Sequence, residues 1–155
     1  MKLLFVCTGN TCRSPMAMGL ARKYFPPEVE IYSAGIYAWE GQRVSEQAVE
    51  ALKKKGIDIS SHRAKKLTKE MLAEADYILT MTLAQADELR DVYPQYKEKI
   101  KTLGAWVGSE KEVPDPIGKP LEVYCSCART LEQMIKVAAE KLTSGGESYD
   151  HSTRS

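Results

Sequence analysis

The chain opens on an apolar run, Lys2-Leu3-Leu4-Phe5-Val6, that leads without a break into Cys7-Thr8-Gly9-Asn10-Thr11-Cys12-Arg13-Ser14-Pro15. A short apolar run, a Gly- and Asn-containing loop and a helical pattern in immediate succession predict strand, loop and helix. Pro15 suits the first position of that helix, where a missing N–H is harmless and a fixed φ fits the helical backbone. Strand, loop and helix form the first half of a crossover unit, which needs a parallel partner strand.

The rest of the chain supplies partners. Glu30–Ser33, Tyr77–Thr80 and Ile100–Leu103 read as further strands. Helical patterns lie between them. The first runs from Pro15 to Tyr24, ahead of Pro26-Pro27, and the second over Ser45–Lys55, with Ala48, Val49 and Leu52 inward and Gly56 as its stop. A third is capped by Thr68 and runs through Ala75, a fourth covers Leu83–Val92, and a long one covers Leu121–Leu142. In the last, Cys127, Leu131, Met134, Ile135, Ala138 and Leu142 form one stripe, read as core packing. The expected fold class is α/β: a single doubly wound sheet of four parallel strands with helices on both faces. It occupies one domain, residues 1–143, followed by a polar flexible tail over 144–155. Ligands of such sheets bind beyond the carboxyl ends of the strands where the winding reverses. The Cys7 loop follows the first strand, and the reversal is expected beside it.

The residue types in the loop agree on one chemistry. A thiol becomes a strong nucleophile where it loses its proton, which a helix N-terminus and neighbouring cations favour; Cys7 has both. Consecutive N–H groups of Thr8, Gly9, Asn10, Thr11, Cys12, Arg13 and Ser14 can form an anion-binding nest, completed by the N-terminus of the helix. Arg13 adds a planar fork able to grip two phosphoryl oxygens. Gly9 and Asn10 are residue types that accept the positive φ a loop curling round an anion needs. Ser14 is placed to hydrogen-bond the sulfur. The arrangement points to hydrolysis of a phosphoryl ester or amide through a cysteinyl-phosphate intermediate. Such chemistry needs a proton donor for the leaving group. Asp115, in the stiff stretch Val113-Pro114-Asp115-Pro116, is a candidate; an Asp beside Pro is equally a turn residue.

These residues resemble the phosphate loop of the low-molecular-weight protein tyrosine phosphatases. The likeness extends to Ser33-Ala34-Gly35, Gly56-Ile57 with His62-Arg63, Ala75-Asp76 before Met81, and Asp115-Pro116, so it spans the chain to about Leu142. The resemblance implies that Cys7, Arg13 and Asp115 are catalytic, with Asp115 first the acid and then the base for water. It implies that Asn10, Ser14, Ser33 and His62 form a network holding the loop open. For Cys12 it implies a reversible disulfide with Cys7, against the plain reading of a small buried filler. Tyrosine-directed members carry an aliphatic residue in place of Thr11 and aromatic walls just after the Asp-Pro; this chain has Thr11 and Ile117-Gly118. Threonine there marks the protein-arginine-phosphatase branch, so Thr11, Ile117 and Trp39 are the expected specificity residues and phosphoarginine the favoured group, with phosphotyrosine the alternative. Trp39 suits either a phenol or a guanidinium. Met18 departs from the pattern, since relatives commonly have Glu there. Arsenate reductases share the fold but need two further cysteines between Met81 and Leu103, a stretch with none. A phosphoprotein-binding scaffold would need neither the nucleophile nor the acid.

Composition narrows the partners. A net charge of +1 gives no bulk attraction to nucleic acid or membrane, and Arg63, Lys65 and Lys66 read as a solvated face. The opening apolar run is too short to span a bilayer and lacks a cleavage site. The four cysteines do not form the framework of a small secreted protein, which places the chain in a reducing cytoplasm. Cys125-Ser126-Cys127, His62 and His151 do not have zinc spacing. No metal or other cofactor is expected, because Arg13 and the loop amides would do the work of a metal. Phosphorylated proteins are the expected substrates and phosphate-like oxyanions the expected inhibitors.

Overall fold

The computed structural model describes residues 1–144. Strand β1, Lys2–Cys7, leads through the loop to helix α1, Arg13–Tyr24, and strand β2, Glu30–Gly35. Helices α2, Glu46–Lys53, and α3, Lys69–Glu74, precede strand β3, Tyr77–Thr80. Helix α4, Leu83–Val92, and a 3-10 turn at Pro94–Tyr96 lead to strand β4, Ile100–Thr102. A single-turn helix α5, Leu103–Trp106, and the long α6, Leu121–Ser144, complete the described residues. The tail expected over 144–155 lies, beyond Ser144, outside the described residues.

All four strands are parallel, in the order β2-β1-β3-β4. The chain steps from β1 to β2 on one side and then crosses to β3 on the other. The winding therefore reverses at the carboxyl end of β1, where Cys7 lies opposite Gly35. Alternation along β1 divides the core. Leu3, Phe5 and Cys7 face one cluster, built with α1, α2 and α6; Leu4 and Val6 face the other, built with Leu72 of α3 and Leu89 of α4. A strand buried on both faces reads as continuous apolar sequence, which is how Lys2 to Val6 looks.

Local signals start three of the helices, and the Thr68 cap is the one expected. The side chains of Ser45, Thr68 and Thr82 accept from the backbone N–H groups of Ala48, Met71 and Gln85. Three expectations need correction. Helix α1 begins at Arg13, with Pro15 its third residue; the first four helical N–H groups lack intrahelical partners, so proline is tolerated throughout that turn. Strands β1 and β2 run past Val6 and Ser33 to Cys7 and Gly35, while β4 stops at Thr102, whose hydroxyl caps α5. In α2 it is Ala51, with Ala48 and Leu52, that is buried, and Val49 packs only partly.

Candidate active site

The loop between β1 and α1 is held from every side. Cys7, at the end of the innermost strand, is 2% exposed. Its Sγ lies 2.9 Å from Ser14 Oγ and accepts the Asn10 backbone N–H at 3.3 Å. Ser14 Oγ also accepts from Asn10 Nδ2 at 2.7 Å. That bond leaves the Ser14 hydroxyl hydrogen to point at the sulfur.

Asn10 is fully buried and is the one non-glycine with positive φ among the described residues, at 57°. Asparagine tolerates this left-handed geometry better than most residues. Of the two residue types suited to positive φ here, Asn10 adopts it and Gly9 does not. The Asn10 amide uses both ends. Its Nδ2 donates to Ser14 and, at 3.0 Å, to Ser33 Oγ. Its Oδ1 accepts the Lys65 backbone N–H at 2.8 Å and faces His62 Nε2 at 3.2 Å. A carbonyl oxygen only accepts, so the His62 hydrogen sits on Nε2. Burial pushes the His62 pKa down, the Asn10 bond opposes this, and Arg22, Lys65 and Arg63 add to it. Asn10, Ser14, Ser33 and His62 thus come together in one network.

The loop carbonyls are also used. Ile36 N–H donates to the Cys7 carbonyl and Tyr37 N–H to the Thr8 carbonyl, both at 2.9 Å. The close approach depends on Gly35: a Cβ there would lie 2.8 Å from the Thr8 carbonyl oxygen and 2.9 Å from the Asn10 nitrogen. From the other side, Gln85 Nε2 donates to Thr8 Oγ1 at 3.1 Å, while its Oε1 accepts the Met81 and Thr82 N–H groups. Sequence reasoning missed Gln85, although Thr82-x-x-Gln85 is a capping-box pattern pointing to it.

Arg13 is 5% exposed; its Nη1 donates to the Val113 carbonyl at 3.0 Å and its Nη2 lies 3.6 Å from Asp115 Oδ2. Val113 N–H is fastened to the Met81 carbonyl at 3.0 Å. The segment bearing Asp115 is therefore pinned to the end of β3, which brings a carboxylate 102 positions away to the loop. Asp115 Oδ1 accepts the Ile117 N–H at 3.1 Å, and the side chain is 46% exposed. Thr11 is buried, with Oγ1 3.8 Å from Cys12 Sγ. Trp39 and Ile117 are exposed.

Cys12 is buried as well, its Sγ 3.5 Å from Ser45 Oγ and 3.8 Å from the Tyr124 hydroxyl. Burial and then the bond to Cys12 raise the Tyr124 pKa to about 12. Cys7, Cys12, Cys125 and Cys127 are all free thiols, and burial raises that of Cys127 to about 12. Among the described residues no group of three or more His, Cys, Asp and Glu could hold a metal, and no helix is long and apolar enough to cross a membrane.

A buried sulfur, loop N–H groups, a guanidinium and a half-exposed carboxylate lie at one strand end, groups with which a tetrahedral oxyanion can be bound. Known proteins agree. The family described as low molecular weight phosphotyrosine protein phosphatase matches residues 2–147. A protein-arginine-phosphatase of Geobacillus stearothermophilus is 44% identical over 91% of this chain and 95% of its own. The structure titled as the arginine phosphatase from that organism superposes with a TM-score of 0.90 at 42% identity, covering 97% of this chain and 96% of the other. A low molecular weight protein tyrosine phosphatase of T. tengcongensis superposes with a TM-score of 0.87 at 49% identity, covering 92% and 99%. With nearly the whole chain matched, this protein belongs to the low molecular weight phosphotyrosine protein phosphatase family, and is a cysteine-dependent protein phosphatase.

Proposed function

We propose that this phosphatase removes phosphate from phosphoarginine in proteins. The observation that carries the reading is Thr11: a hydroxyl-bearing side chain stands in the phosphate loop, where an aliphatic residue would offer the substrate no polar group. Relatives named protein-arginine-phosphatase support it. Asp115 supports it too, since a half-exposed carboxylate beside Arg13 can also pair with the cationic head of the substrate. Ile117 and Gly118 follow the Asp-Pro and build no aromatic slot.

The chemistry runs in two displacements. Cys7 Sγ attacks phosphorus in line with the leaving nitrogen; an S–P bond forms as the P–N bond breaks, and Asp115 gives its proton to that nitrogen. Arg13 and the loop N–H groups hold the three equatorial oxygens, and the Ser14 hydroxyl stabilises the sulfur. Asp115, now a carboxylate, takes a proton from water as it attacks the phosphocysteine. Orthophosphate leaves and the thiolate returns. Phosphate and similar oxyanions compete for the same loop, and activity persists in metal chelators. Cys7 and Cys12 act as a reversible redox pair, a reading supported by two free, buried thiols at opposite ends of one loop. Free cysteines throughout suit a reducing cytoplasm, and the near-neutral charge gives nucleic acid no foothold.

Phosphotyrosine is the second reading, favoured by exposed Trp39 and by the tyrosine-phosphatase name of the T. tengcongensis relative. The deciding measurement is kcat/KM on matched phosphoarginine and phosphotyrosine peptides, with Cys7→Ser as the blank. A large preference for phosphoarginine, moved toward phosphotyrosine by Thr11→Ile, is expected. A phosphotyrosine preference unaffected by Thr11→Ile overturns the reading.

A further inference from the structure

A cleft of about 560 Å³ lies behind the phosphate loop, between α1, the end of β2, α3 and the segment from Ile57 to Lys65. Its volume is that of a small-molecule site. Cys7, Arg13 and Asp115 do not line it. Its walls include apolar Leu4, Met18, Ile57 and Met71. Its charges are unevenly used. Lys2 pairs with Glu74 at 3.3 Å, and Asp58 accepts the Ser60 N–H at 2.9 Å. Arg22 donates to the Ile31 carbonyl, a neutral partner. Among the described residues, neither Arg22 nor Lys65 belongs to an ion pair. Glu70 is the one remaining acid of the lining. Met18 sits four residues before Arg22 on α1, the spacing at which a Glu would form an intrahelical ion pair. The methionine leaves the guanidinium available and widens the apolar wall.

The cleft also meets the catalytic loop from behind. Ser33, His62 and Lys65 line it. These residues make three of the four hydrogen bonds to the side chain of Asn10. The fourth goes to Ser14. Asn10 in turn points its N–H at the Cys7 sulfur.

We infer that this cleft is a second binding site, taking a small amphipathic anion with an apolar body and one acidic head, and that its occupant tightens the loop's hold on phosphate. The head pairs with Arg22 and Lys65 while the body covers Met18 and Ile57. An occupant that orders His62 and Lys65 fixes Asn10 in its left-handed turn, the geometry that receives the oxyanion. By linkage, phosphate in the loop must tighten the occupant by the same factor.

8-Anilinonaphthalene-1-sulfonate, a bicyclic apolar body with one sulfonate, is the probe, titrated by fluorescence into the native protein with and without saturating inorganic phosphate. One saturable site is expected, about fivefold tighter when phosphate is present. Met18→Glu should weaken the probe about tenfold and leave turnover of nitrophenyl phosphate unchanged in its absence. Arg22→Gln, a milder change on the same wall, should do likewise and stands if Met18→Glu folds poorly. Absence of saturable binding, displacement of the probe by phosphate, an affinity indifferent to phosphate, or unchanged binding in the variants each overturns the inference. None of these results depends on whether phosphoarginine or phosphotyrosine is the substrate.

Discussion

Asn10→Ala is the substitution that most directly tests the account of the loop. It removes four hydrogen bonds, to Ser14, Ser33, Lys65 and His62, from a fully buried side chain. Each contributes about 1 kcal/mol net. Lys65 and half-buried His62 can regain water, whereas Ser14 and Ser33 are buried and cannot. Alanine also occupies the left-handed region at a cost of about 1 kcal/mol. The expected destabilisation is about 4 kcal/mol, which for a chain this long lowers Tm by about 10 °C. Asn10→Gly loses the same bonds but accepts the φ of 57°, so it should melt a few degrees above the alanine variant. The assay is thermal unfolding followed by fluorescence of Trp106, which is buried against Phe25 and Tyr77. At temperatures where both variants remain folded, kcat/KM should fall about 100-fold, because Ser14 and the loop N–H groups lose their positions. Melting of both variants within about 2 °C of the parent would refute the network as the loop's anchor.

Cys7→Ser should abolish turnover yet keep phosphate binding, measured by calorimetry; surviving full activity would remove Cys7 as the nucleophile. Asp115→Ala should slow substrates with poor leaving groups far more than nitrophenyl phosphate, and equal slowing of both would remove it as the acid. Gly35→Ala forces a methyl group onto the Thr8 carbonyl and the Asn10 nitrogen, so kcat/KM should drop about 10-fold or more, with wild-type rates refuting the close approach. Because burial holds the His62 pKa below its unfolded value of 6.5, the unfolded chain binds more protons below that pH. The parent should therefore lose stability as pH falls from 7 toward 5, and His62→Gln should flatten that part of the Tm profile. Identical slopes would exclude His62 as the titrating group.

The legible parts of this molecule are those set by local chemistry. Continuous apolar character marks β1 and β3 because both are covered on two faces. Thr68 marks a helix start because an N-cap acts within three residues. Cys7 to Ser14 is readable because one loop holds both the proposed nucleophile and the proposed phosphate grip. Illegible were contacts made through space. Nothing local joins Asn10 to His62 or Arg13 to Val113, 52 and 100 positions apart; family resemblance supplied the first pair, and the second was not foreseen. The single-turn α5 and the 3-10 turn at Pro94–Tyr96 are too short to show a hydrophobic period. Gly9 and Asn10 both suit a positive φ by residue type, and only Asn10 adopts it, where its side chain has four partners.

The loop's two anchors, the strand β1 from Leu3 to Cys7 and the helix α1 from Arg13 to Ala21, are made of buried residues. Amide hydrogens of Val6, Cys7 and Met16 should therefore exchange with solvent only when the whole domain opens. The Cys7 sulfur would then ride on a unit that opens only with the whole fold, while exposed Trp39 and Ile117 lie outside that unit. Loss of phosphatase activity in denaturant should then coincide with global unfolding, so that turnover itself becomes a gauge of how much of the chain is folded.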